Sequence, residues 1–202
     1  GDVNGDGFDD ILVGAYLYDG AVSDQGAVYA WYGSAAGLGD PGTPANADWS
    51  AVGDQSSAYF GLTGDGVGDL NGDGFDDLAV GAYGYDAPEV NEGKVFVWYG
   101  SAAGLGYPGT TANADWSAEA NTPALLGYSL RAAGDVNGDG YADLLATAPG
   151  YSPLSGGQPL AGAGAWFVWP GSADGLGANG TPSTACLAGF GDQAGAYLGR
   201  DD

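Results

Sequence analysis

Three stretches of the sequence spell nearly the same ten residues: GDVNGDGFDD at 1–10, GDLNGDGFDD at 68–77 and GDVNGDGYAD at 134–143. Their starts lie 67 and 66 residues apart. Each packs several aspartates into a short segment, where unpaired carboxylates would repel one another. Self-similarity at a near-constant period is the mark of a repeat architecture, so the stretches are read together.

Counted along each loop, positions 1, 3, 5 and 9 carry oxygen-bearing side chains. They are Asp2, Asn4, Asp6 and Asp10 in the first copy, and Asp69, Asn71, Asp73 and Asp77 in the second. In the third they are Asp135, Asn137, Asp139 and Asp143. Position 7 offers the backbone carbonyl of Phe8, Phe75 or Tyr141, and the glycine at position 6 permits a sharp bend. Hard oxygen ligands in this number suit Ca2+ better than Mg2+, which demands stricter geometry and keeps more water. About three Ca2+ per chain are therefore expected, in a structural rather than catalytic role. An EF-hand is not, because position 12 is Val13, Val80 or Ala146 instead of glutamate, and apolar extended segments follow the loop. A set of Asn-Gly and Asp-Gly turns with solvated acids would explain the glycines. It would not explain oxygen ligands kept at four fixed offsets.

Outward from the loops the units stay in register. Residues 10–39 and 77–106 align without a gap and share WYGSAAGLG, while the third unit has five extra residues before WFVWPGSADGLG. NADWSAVGDQ at 46–55 matches NADWSAEANT at 113–122 and, more faintly, STACLAGFGDQ at 183–193. Each unit then reaches an aromatic or leucine followed by glycine: Phe60-Gly61, Leu126-Gly127 and Leu198-Gly199. Short apolar runs, alternating aromatic stretches such as KVFVW and frequent glycine turns predict four strands per unit and no helical periodicity. Repeated four-stranded units are propeller blades, so the fold class is all-β.

These residues resemble FG-GAP repeats, the blades of the integrin α-subunit propeller. The Phe-Gly element is Phe60-Gly61, weakened to Leu-Gly in the other copies. The Gly-Ala-Pro element appears as Val13-Gly14-Ala15-Tyr16, Val80-Gly81-Ala82-Tyr83 and Ala146-Thr147-Ala148-Pro149, with tyrosine for proline in two copies. The resemblance covers essentially the whole chain. It implies blades of four antiparallel strands, Ca2+ in inter-strand loops and an extracellular or cell-surface setting. The expected organisation is one array of three blades, in units 1–59, 60–125 and 126–197, with 198–202 beginning the next strand. The first unit lacks the strand before its acidic loop and AYLGRDD starts such a strand, which predicts a split blade at the termini. Three blades fall short of the roughly four of a closed ring, so the chain reads as part of a longer array or as one of several assembling chains.

Composition removes whole function classes. The net charge is −23 with three basic residues, Lys94, Arg131 and Arg200, which argues against nucleic acid and anionic lipid as partners. No apolar run reaches membrane-spanning length. There is no histidine, and hence neither the commonest general base nor the commonest transition-metal ligand. The single cysteine, Cys186, is expected as a small buried side chain. The absence of a starting Met suggests a processed product or fragment.

The expected function is a non-enzymatic, calcium-binding extracellular module for adhesion, structure or assembly. The alternatives are a subunit of a head-to-tail surface fibre and a carbohydrate-binding or polysaccharide-active propeller. Partners would be other chains or repeats of the same kind, with glycans as a second class. Trp31, Trp98 and Trp169, like Trp49 and Trp116, recur at equivalent positions and are read as packing between blades. Trp166, which replaces Val28 and Val95 beside the longer third loop, and Tyr151 are the candidate ligand contacts. The links DPGTPANA, YPGTTANA and ANGTPSTA could accept O-glycans, and Asn179-Gly180-Thr181 is a formal N-glycan acceptor, hence a glycoprotein expectation.

Overall fold

The computed structural model describes residues 1–39 and 42–200. Its strands follow the acidic loops. The first unit holds β1 (Ile11–Ala15), β2 (Ala27–Trp31) and β3 (Trp49–Val52). The second holds β4 (Gly64–Gly68), β5 (Asp77–Ala82), β6 (Lys94–Trp98), the two-residue β7 (Gly109–Thr110) and β8 (Trp116–Glu119). The third holds β9 (Leu130–Gly134), β10 (Asp143–Ala148), β11 (Leu154–Ser155), β12 (Gln158–Pro159), β13 (Ala165–Trp169) and β14 (Leu187–Phe190). Two 3-10 turns, Pro44–Asn46 and Thr111–Asn113, are the helical segments among the described residues.

These strands make three four-stranded sheets in the orders β1-β2-β3-β7, β4-β5-β6-β8 and β9-β10-β13-β14. The second and third are antiparallel throughout, each strand pairing with its sequence neighbour in the sheet. Among the described residues the first sheet begins at β1, after its acidic loop. Its fourth member is β7, lent by the second unit and paired in parallel to β3 through Ala51 and Gly109. A slip of register between Gly66 and Gly68, and another between Asp143 and Leu144, lies where the chain turns into or out of an acidic loop. Asp201 and Asp202, part of the predicted next strand, lie outside the described residues; Leu198 makes a parallel bridge to Gly164.

The insertion in the third unit forms a hairpin. Gly156 and Gly157, at φ 59° and 81°, make the two-residue turn between β11 and β12, a backbone shape that costs glycine little. Both short strands are exposed.

The core lies between sheets, in two clusters. One joins the first and second sheets through Trp49, Phe60, Phe96 and Trp98; the other joins the second and third through Trp116, Leu126, Phe167 and Trp169. Trp49 meets Trp98 edge to face at 5.3 Å, and Trp116 meets Trp169 in the same way at 5.5 Å. The recurring tryptophans are thus buried packing residues. Where proline is replaced, Tyr16 and Tyr83 join Tyr59 and Tyr128 in a row of rings 5.1–6.3 Å apart that crosses the blades.

One expectation is corrected. Cys186 is exposed, not buried. It aligns with Asp48 and Asp115, which are also exposed, on the approach to the outer strand, where the chain meets solvent.

Truncation of Trp116 should therefore remove packing on two sheets at once. Trp116→Ala is expected to cost about 3–5 kcal/mol in urea unfolding, the usual range for a buried Trp to Ala change. The exposed hairpin variant Leu154→Ala should change stability by less than about 0.5 kcal/mol.

Candidate functional site

In the second and third sheets the acidic loop connects the first strand to the second, so strand pairing brings its two ends together. Within the loop, short polar side chains then organise the backbone. Asp2 Oδ1 accepts the N–H of Asp6 at 3.1 Å and its Oδ2 that of Gly7 at 2.9 Å. Asp69 and Asp135 do the same for Asp73 and Gly74, and for Asp139 and Gly140. The asparagines at position 3 accept the N–H of position 5 at 2.9–3.0 Å. Their Nδ2 groups donate to the position 5 carboxylates at 2.8–3.4 Å. Position 5 in turn accepts the N–H of Phe8, Phe75 or Tyr141 at 3.0–3.1 Å. Gly7, Gly74 and Gly140 hold φ of 89°, 91° and 96°, a region that a side chain would disfavour.

Position 9 has a different surrounding. Asp77 is fully buried; its Oδ2 accepts from the N–H of Leu70 at 2.8 Å and its Oδ1 from that of Gly100 at 2.9 Å. Asp143 makes the same pair of bonds to Val136 and Gly171, and Asp10 to Val3 and Gly33. Burial pushes the Asp77 carboxyl up to about 7 against the lowering effect of these two N–H groups, with Asp73 and Asp69 adding repulsion. Asp10 is raised for the same chief reason. Asp135, exposed at position 1, moves the other way because the Gly140 N–H, then those of Gly138 and Asp139, favour its charged form.

The structure thus brings positions 1, 3 and 5 together around one turn and ties position 9 to the start of the loop and to the segment after the next strand. Among the described residues, no three His, Cys, Asp or Glu side chains converge as a ready metal cluster. The donor chemistry nonetheless fits a hard dication. Every candidate ligand is an oxygen, and even Asp69 and Asp135, which each accept three N–H groups, keep lone-pair capacity free.

The candidate ligand contacts are not brought together. Tyr151 packs against Phe167 at 5.4 Å and Phe190 at 5.8 Å, and edges a groove with Asn121, Thr122 and Pro182. Trp166 lines an open apolar groove on the outward face of the third sheet, with Val168 and Leu187.

A buried carboxylate escaped the sequence reading. Glu92 is fully buried, and neither Oε has a partner at hydrogen-bond geometry. The N–H groups of Asn121 and Ala87 face it and only partly offset burial, while Glu119 and Glu89 repel its charge; the carboxyl is raised to about 7. Lys94 is held instead by Glu119 at 3.3 Å. The signal was in the alignment: Gln25, the neutral counterpart in the first unit, accepts the Val22 N–H at 2.8 Å. Ala163 stands at this place in the third.

A family model described as the FG-GAP repeat matches residues 1–31, 60–98 and 126–168. Integrin alpha-5 of Xenopus laevis is 34% identical over 158 residues, which is 74% of this chain and 14% of that protein. Integrin alpha-PS2 of Drosophila melanogaster is 36% identical over 154 residues, 71% of this chain and 10% of the relative. Integrin alpha-8 of Gallus gallus is 36% identical over 156 residues, 74% of this chain and 14% of the relative. The chain spans only this small part of the length of the curated relatives it matches.

The raised Glu92 gives a signed pH dependence. Its unfolded value is about 4.3 and its folded value lies above that, so the neutral acid is the form the fold prefers. Stability on its account is fully present below the unfolded value and is lost as pH rises to about 7. Glu92→Gln should abolish this loss: melting temperatures of variant and parent should agree near the lower limit, with the variant higher at alkaline pH.

Proposed function

The chain belongs to the FG-GAP repeat family, and on that premise we propose that it is a calcium-binding extracellular module with a structural, adhesive or assembly role and no catalytic activity. One observation carries the reading: three loops of the same spelling adopt the same hydrogen-bonded turn, each tied back to its own start by the position 9 carboxylate. Asp2, Asn4, Asp6 and Asp10 would hold the first ion with the Phe8 carbonyl. Asp69, Asn71, Asp73, Asp77 and the Phe75 carbonyl would hold the second. Asp135, Asn137, Asp139, Asp143 and the Tyr141 carbonyl would hold the third. Bound there, Ca2+ supplies positive charge to loops that carry most of their acids unpaired. The residues' own part is to set the turn and anchor it to the sheet.

In the same reading, units 1–59, 60–125 and 126–197 are blades of one array. The non-enzymatic role rests on the commitment of the loop aspartates to backbone N–H groups and on a chain without histidine. A cell-surface setting follows the resemblance to integrin α chains. Among the described residues no helix is long and apolar enough to cross a membrane. Partners are other protein chains, including repeats of the same kind. Glycans enter through Asn179, which is exposed beside the buried Gly180.

Native mass spectrometry and calorimetric titration test the calcium reading. The parent chain should take up three Ca2+, and Asp69→Ala should take up two. Free Ca2+ at a hundredfold its dissociation constant should stabilise each site by about 2.7 kcal/mol, lost on chelation. A parent chain with no uptake and an unchanged melting temperature would sink the proposal.

A further inference from the structure

The two internal blade boundaries are closed differently where the outer strand of one unit turns toward its Phe-Gly or Leu-Gly element. At the first boundary this turn is Gly53-Asp54-Gln55, and polar groups tie it to the second unit. Thr111 Oγ1 donates to Asp54 Oδ2 at 2.8 Å, and Gln55 Nε2 donates to the Asp86 carbonyl at 2.7 Å. The Asp86 N–H donates to Gln55 Oε1 at 2.9 Å, so the amide is engaged at both of its ends.

At the second boundary all four of those residues are changed. Asn121 and Thr122 stand in place of Asp54 and Gln55, Ser152 in place of Asp86, and Pro182 in place of Thr111. The link from Trp116 to Leu126 is also one residue shorter than that from Trp49 to Phe60. Asn121 adopts a left-handed φ of 56°, which Asp54 does not. Threonine lacks the reach of glutamine, and proline has no hydroxyl to donate. Among the described residues no hydrogen bond joins the Asn121 or Thr122 side chain to the third unit. A groove lies there instead, between the second and third units, with both of its walls inside the described residues.

The groove is polar, uncharged and held by the sheet. Asn121 and Thr122 line one wall, and Tyr151, Thr181 and Ser183 line the other. The Thr181 and Ser183 hydroxyls lie 2.8 Å apart on a turn closed by the Thr184 N–H donating to the Thr181 carbonyl. Tyr151 is fixed by backbone bonds to Ala148 and Gly164, and its ring packs on Phe167 and Phe190. In a chain of net charge −23, no Asp, Glu, Lys or Arg lines this groove.

We propose that the groove binds an uncharged saccharide. The Asn121 amide and the Thr122, Thr181 and Ser183 hydroxyls pair with sugar hydroxyls, and Tyr151 borders the sugar ring. Hydroxyls and an amide both donate and accept, which suits the neighbouring hydroxyls of a pyranose. The tyrosine supplies apolar contact for its C–H groups. An anion would find no cation in the groove and an acidic chain around it, and a cation would find no carboxylate. Because the walls are already fixed, binding orders few side chains. The site adds a ligand to the module proposed above and does not depend on Ca2+ in the acidic loops.

Saturation-transfer NMR of the chain tests the site, with methyl glycosides of neutral hexoses and N-acetylhexosamines as probes and sialic acid as the charged control. At least one neutral glycoside should receive saturation from the protein, and sialic acid should receive none. The same sugar on a neutral glycopeptide shows whether the free or the protein-borne form is preferred. Asn121→Gly keeps the left-handed turn and removes the amide, and Thr122→Val removes a hydroxyl at nearly constant size. Each should weaken binding by about fivefold, the worth of one hydrogen bond, with the parent's melting temperature and Ca2+ uptake. Leu154→Ala, in the exposed hairpin, should bind like the parent. Should Thr122→Val lose stability, Asn121→Gly at its exposed position still reads the groove. No transfer to any neutral glycoside, a response to sialic acid alone, or groove variants that bind as tightly as the parent would overturn the assignment.

Discussion

A carboxylate at the ninth position of each acidic loop, fully buried in the second and third and half-buried in the first, joins the parts from which a blade is made. Asp77 takes the N–H of Leu70 at the start of its loop and that of Gly100 after β6, so one side chain ties the loop to the ends of two strands. Asp10 and Asp143 repeat the arrangement. A carboxylate is costly to bury, and two N–H bonds offset that cost only in part, as the raised Asp77 shows. Any positive charge in the loop above would favour its ionised form. The fold and the proposed metal chemistry therefore meet at one residue.

The same residue type does opposite work at another position of these loops. At position 1, Asp135 sits in water and collects N–H groups from a turn of the loop, which lowers its pKa. At position 9, Asp77 and Asp10 anchor the loop and are raised by burial. Loop shape thus depends on acids as hydrogen-bond acceptors before any cation is considered. Glu92 is the counterexample, a carboxylate placed where the first unit has glutamine, with burial but without a partner at hydrogen-bond geometry.

Between blades the constraint is steric. Large rings of one blade need glycine in the next, and Gly109 and Gly180 are tolerable only because a tryptophan fills the space a side chain would take. Stability in such an array comes from nearest-neighbour interfaces, so a blade is only as buried as its neighbours make it. β5 is buried along its whole length, while β1, with nearly the same sequence, is largely exposed because it stands at the edge of its sheet; β10, paired on both edges as β5 is, is mostly buried although its sheet packs against one other.

The repeat in the sequence determined the all-β class, the place of the acidic loops and the packing role of Trp49, Trp98, Trp116 and Trp169, because spacing and alternation dictate local backbone shape and side-chain facing. Other features needed the tertiary structure. The parallel loan of β7 to the first sheet, the exposed Cys186, the separation of Tyr151 from Trp166 and the unpartnered burial of Glu92 all depend on contacts between residues distant in the chain. The contrast between β1 and β5 states the reason. A local pattern says which side chains prefer to be buried, and only the strands paired beside them and the sheet packed over them decide which of them are.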